Sequence, residues 1–140
     1  MLLLMIGLFR PFFPILYQGF GKRNRYFEGW YFKHTSRSAD PSNRGARTVA
    51  FIPGISRSPG GDHAFVQMID GADGSTRYFR FSSRDFSTQD APFGVRIGEN
   101  RFSLSGIHVD LEDSEGSVRG DLRYGPLVRP RRNPLSPGVM

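Results

Sequence analysis

One carboxylate in this chain stands inside a run of rings. Residues 26–33 read Tyr-Phe-Glu-Gly-Trp-Tyr-Phe-Lys, which places Glu28 among Tyr26, Phe27, Trp30, Tyr31 and Phe32. Burial in an apolar site favours the neutral form of a carboxyl group, and a neutral carboxyl can donate a proton. Aromatic faces stabilise a nearby cation by about 0.5 to 2 kcal/mol each once water is excluded. Together these groups suit acid chemistry on a lipophilic molecule, with Glu28 as the candidate acid and Trp30 and Tyr31 as ligand contacts. The structural alternative pairs Glu28 with Arg25, Lys33 or a neighbouring strand and leaves the rings to fill a core. His63 follows the Gly60-Gly61-Asp62 turn, as a second proton-carrying candidate or as a rim histidine. Gln67 shares one side of an extended segment with Phe65 and Ile69, and a buried amide there must bond to backbone or to a ligand. Phe51 and Phe65 complete the candidate ligand contacts.

Other chemistries lack their groups. The chain has three His and no Cys, with neither a His-x-x-His pair nor clustered carboxylates, so no metal is expected. Disulfides and thiolate catalysis are excluded. No serine nucleophile elbow or glycine-rich phosphate loop is present; Gly19-Phe20-Gly21 opens no strand-to-helix turn, and no organic cofactor is expected.

The elements that must position these residues read as strands. Seventeen Gly and ten Pro in 140 residues break helices and favour short strands joined by turns. Residues 26–35 carry rings on both sides of an extended chain, so cover is expected on both faces. A loop over 36–45 precedes a second strand at 47–55, apolar on both parities. A turn over 56–62 leads to a hairpin of strands 63–70 and 76–82. Phe93, Val95 and Ile97 then alternate with polar or small residues. Phe102 and Leu104 give way at Ser105-Gly106 to Ile107, Val109 and Leu111, a slip of one residue that predicts a single strand bent by a bulge. Val118 and Leu122 mark the last strand, whose charged row of Arg119, Asp121 and Arg123 would face His108, Asp110 and Glu112 if the two pair. About seven antiparallel strands in one all-β domain, a small barrel or sandwich, is the predicted architecture. Its expected limits are 21–126, between an apolar segment 1–20 and a Pro/Arg-rich tail 127–140.

The charge is lopsided. The formal net charge is +6, and residues 1–50 account for it, with eight Lys or Arg against Glu28 and Asp40. The basic residues scatter through turn-like stretches with no recognised nucleic-acid motif, so nucleic acid is not an expected partner. Met1 to Phe9 is apolar, but Arg10, Pro11 and Pro14 interrupt it well short of the ~20 residues of a spanning helix. It lacks the basic start and small-residue cleavage site of a secretory signal. It is expected to cover apolar surface on the domain or to rest on a membrane surface with its basic neighbours. The absence of Cys fits a reducing, cytoplasmic setting.

Several blocks in order resemble the tocopherol cyclase family. They are Tyr26 to Lys33 with its basic Gly-rich lead-in over 19–25, Ala50-Phe51-Ile52-Pro53-Gly54-Ile55-Ser56, His63 to Asp70, and Ile97 to Ser103 running into Gly106-Ile107. The closing Leu135 to Met140 is similar to a block in the middle of family members, so the chain is expected to hold the first half of the family's length. The resemblance covers roughly residues 17 to 140. It implies a lipocalin-like (calycin-type) β fold, one of two β domains related in architecture to carotenoid hydratase-like proteins. It implies a lipophilic prenyl or quinol-type ligand and, in the plant prototype, closure of a chromanol ring by proton delivery to an alkene, an isomerase reaction. Partners implied are that small ligand and a second β domain or a second copy of the chain. The alternative is a truncated, non-catalytic lipid-binding or structural module.

Overall fold

A computed structural model describes residues 15–36 and 47–128. Residues 1–14, which hold the apolar Met1 to Phe9, residues 37–46, which hold all but the first position of the predicted loop at 36–45, and residues 129–140 with the closing block at 135–140 lie outside the described residues. Among the described residues the chain is all β, with ten strands in two antiparallel sheets of five. The first sheet runs β1 (Tyr26–Gly29) and β2 (Phe32–Thr35) beside β3 (Thr48–Arg57), then β4 (His63–Asp70) and β5 (Thr76–Ser82). A 3-10 turn, Ser83–Asp85, passes the chain to the second sheet. That sheet is a meander of β6 (Phe86–Asp90), β7 (Phe93–Ile97), β8 (Asn100–Ser103), β9 (Gly106–Asp113) and β10 (Gly116–Arg123).

β1 and β2 are one strand with a gap. Gly29 pairs with Gly54 and Phe32 with Phe51, so the register against β3 is unbroken. Between them the Trp30 N–H donates to the Pro53 carbonyl at 3.0 Å, and Pro53, lacking an N–H, cannot return the bond. The predicted strand over 26–35 is therefore present, interrupted by a proline on its neighbour.

The predicted bent strand over 101–111 is instead a hairpin. Ser103 pairs with Gly106 and Phe102 with Ile107 across the turn at Leu104-Ser105. A parity slip of one residue is produced equally by a bulge or by a tight reversal, and here the chain reverses. Gly106 permits it: its φ is 154°, and a Cβ there would stand 2.3 Å from the Leu122 carbonyl oxygen. β6, absent from the predicted strands, brings the total to ten. β9 and β10 pair as expected, with Arg119 opposite Asp110 and Asp121 opposite His108.

The sheets form an open sandwich, not a closed barrel. Along the first edge, Trp30 meets Phe86 of β6 and Phe93 of β7, Phe32 meets Phe102 of β8, and His34 meets Tyr124 beyond β10. One strand crossing successive strands of the opposite sheet means that the sheets cross steeply. Phe51, Ile55, Val66 and Phe79 of the first sheet pack against Val95, Ile97, Phe102, Ile107, Val109 and Leu111 of the second. The space that a barrel would keep as a hollow is filled by these side chains. Residues 15–18 belong to this unit, with Tyr17 buried against Tyr26 and Phe86.

Candidate functional site

Alternation along the first sheet sorts the sequence candidates onto opposite faces. Glu28, Trp30 and Phe51 point toward the second sheet, whereas Tyr31, His63, Phe65 and Gln67 have the outward parity. They do not converge on one hollow. The expectation of cover on both faces holds for Trp30, 8% exposed, and fails for Tyr31, 61% exposed.

On the inward side, Glu28 ties down the segment before β1. The Gln18 N–H donates to both carboxylate oxygens, at 3.1 and 3.0 Å, and the Tyr26 hydroxyl donates to Oε2. Burial, reinforced by the Glu28 acceptor, pushes the Tyr26 phenol well above its ordinary value. Trp30 Nε1–H donates to the Ile15 carbonyl at 2.7 Å, so two residues of β1 and its gap hold the same stretch of chain.

Where the first sheet's edge faces β7, β8 and the chain beyond β10, the sandwich leaves a groove of about 320 Å³. Trp30, Phe32 and Phe93 supply its apolar wall, with Tyr31, Leu104, Leu127 and Ile15 at its exposed rim. Lys33, Ser103 and Tyr124 are its polar groups. A second hollow of about 410 Å³ shares Phe93, Ser103, Leu104 and Tyr124 and extends to Pro92 and Pro126. His34 stacks on Tyr124 at 5.6 Å, and its Nε2 lies 2.6 Å from the Tyr124 hydroxyl. Burial lowers the His34 pKa and raises that of Tyr124, so both stay neutral near pH 7. Glu28 does not line the groove.

Sequence reasoning marked Trp30 and Tyr31 but missed Phe93, Leu104 and Tyr124. These come from the other sheet, and only folding brings them to the first; the aromatic residue after β10 was the one available signal for Tyr124.

The outward candidates form a separate cluster. Phe65 is fully buried, with its ring stacked on Phe27 at 5.3 Å and on Tyr78 at 5.1 Å. Its ring lies over a glycine: a Cβ on Gly54 would stand 2.3 Å from Phe65 Cζ. His63 Nε2 is 2.8 Å from the Tyr78 hydroxyl, and Gln67 is half-buried beside Tyr78 in the ladder. Among the described residues no group of three His, Asp or Glu could hold a metal ion, and no helix is long and apolar enough to cross a membrane.

No protein-family model, curated protein or solved structure matches the chain.

Proposed function

We propose that the chain binds a lipophilic small molecule of the prenylated-quinol class in the groove between its sheets, as the resemblance to the tocopherol cyclase family implies. The observation that carries this reading is the groove itself. Its volume of about 320 Å³ falls within the range of small-molecule sites, roughly 300 to 1,000 Å³. Its wall is mainly aromatic, and Ser103 and Tyr124 offer hydrogen bonds to a phenolic head group. A prenyl tail would lie along Trp30, Phe32 and Phe93, with Leu104 at the rim.

A second reading, a non-catalytic binding module, is favoured by the partners of Glu28. The carboxylate proposed as a proton donor accepts from Gln18 and Tyr26 and stands off the groove wall. Ring closure by this chain would require Glu28 to leave those partners.

The chain's single tryptophan lines the groove, so its fluorescence can follow a titration with a prenylated quinol. A saturable change is expected for the parent chain and its loss for Leu104→Glu at the rim. No saturable change in a folded parent chain would remove the binding reading. Chromanol formed by the parent chain and not by Glu28→Gln would add the isomerase activity; ligand recovered unchanged would leave the module.

A further inference from the structure

The two outer faces of the sandwich differ in kind. On the second sheet Arg119 bonds Asp110 and Glu112, His108 bonds Asp121, and Glu99 stands between Arg96 and Arg101. That face is a lattice of compensated charge. The outward row of the first sheet carries the exposed rings of Phe27, Tyr31 and Tyr78, which are 66%, 61% and 49% exposed. Its charged residues are Lys33 and Arg80, both exposed and on the outward parity, and no acidic residue of β1 to β5 shares that parity. Neither cation has a salt-bridge partner among the described residues. Arg80 stands two positions from Tyr78 on the same side of β5.

Rings on this scale left in water mark a binding surface. Two copies of the same face would bring like charges together, which disfavours self-association through it. An anionic partner that offers flat apolar groups complements this face. Phe65 fixes the geometry: it stacks on one face of Phe27 and one face of Tyr78, His63 packs edge-on against Tyr78, and both outer rings keep about half or more of their surface exposed. Base stacking on aromatic platforms with phosphates held by Lys and Arg is how sheets take unpaired polynucleotide.

We propose that the outer face of the first sheet binds single-stranded nucleic acid without strong sequence preference. Phe27, Tyr78 and Tyr31 stack bases, and Arg80 and Lys33 hold phosphates. The scatter of basic residues along the chain argued against such a partner, but pleating gathers Lys33 and Arg80 onto one surface with the rings, 47 positions apart in sequence.

Fluorescence anisotropy of a labelled oligo(dT) of roughly 15 nucleotides tests this, since single-strand sites cover about 4 to 16 nucleotides. The same chain is titrated with the oligo(dT)·oligo(dA) duplex and with neutral and anionic lipid vesicles. The single strand should bind at least 10-fold more tightly than the duplex. Phe27→Ala and Tyr78→Ala should each weaken it about 5-fold or more. Arg80→Glu, at an exposed site that does not pack the fold, should weaken binding and make it less sensitive to salt. Duplex bound as tightly as single strand, or ring variants that bind like the parent chain, would reduce the effect to nonspecific charge and overturn the proposal. Binding to anionic vesicles with none to the oligonucleotide would overturn it in favour of a membrane surface.

Discussion

Replacing Glu28 with Gln keeps the length of the side chain and removes one of its two carboxylate acceptors. The Gln18 N–H and the Tyr26 hydroxyl then compete for a single oxygen. The expected loss is about 1 to 3 kcal/mol of unfolding free energy, read from the urea midpoint. At Gly106 the demand is steric: an added methyl meets the backbone of Leu122, and Gly106→Ala should cost about 1 to 3 kcal/mol in the same assay. His34 sets a pH dependence of defined sign. Burial holds its folded pKa below the ordinary 6.5, so the unfolded chain binds the proton more readily. Its contribution is complete above the ordinary value, shrinks as pH falls through it, and levels off below the depressed folded value. Melting temperature measured between about pH 5 and 8 should fall on the acid side, and His34→Gln should flatten that limb.

At the scale of strands, the gap opposite Pro53 makes a direct prediction. Pro53→Ala restores an N–H facing the Trp30 carbonyl, so β1 and β2 should fuse, with a slowly exchanging amide at position 53 by hydrogen exchange. Strands with one apolar parity were legible as they stood: Phe93, Val95 and Ile97 alternate in sequence and are buried in the fold. β6 was not, because Phe86-Ser-Thr-Gln-Asp offers one large apolar residue and no repeat. The 101–111 region was read with the right residues and the wrong topology, since parity records which side a residue faces and not which way the chain runs. The same limit applies to the candidate site. Its rings were visible, but the assignment of Phe51 and Phe65 to opposite sides of one sheet needed the register, and Phe93 and Tyr124 needed the other sheet.

Polar bonds also tie the two layers of the molecule together. Arg77 of β5 reaches the turn between β9 and β10, where Nε donates to Asp113 at 2.9 Å and Nη2 to the Gly116 carbonyl at 2.7 Å. The Arg77 bond holds the Asp113 carboxyl below its ordinary value. That contribution is present above the unfolded pKa and is lost as pH falls through the lower folded one. Arg77→Ala should lower the melting temperature at neutral pH and abolish this part of its acid dependence, as followed by circular dichroism.

Because the sandwich does not close, its two sheets keep four edges whose backbone rows have no ladder partner among the described residues: β5, β6, β10 and the β1–β2 edge. Such rows invite a neighbouring chain to extend the sheet. β10 resists this through two glycines and alternating Arg and Asp, whereas β5 carries Tyr78, Phe79 and Phe81 with only Arg77 and Arg80 to discourage a newcomer. Under heat or concentration, filament growth would nucleate along β5, where Arg77 is already engaged with the β9–β10 turn and Arg80 is the one outward charge left as a gatekeeper.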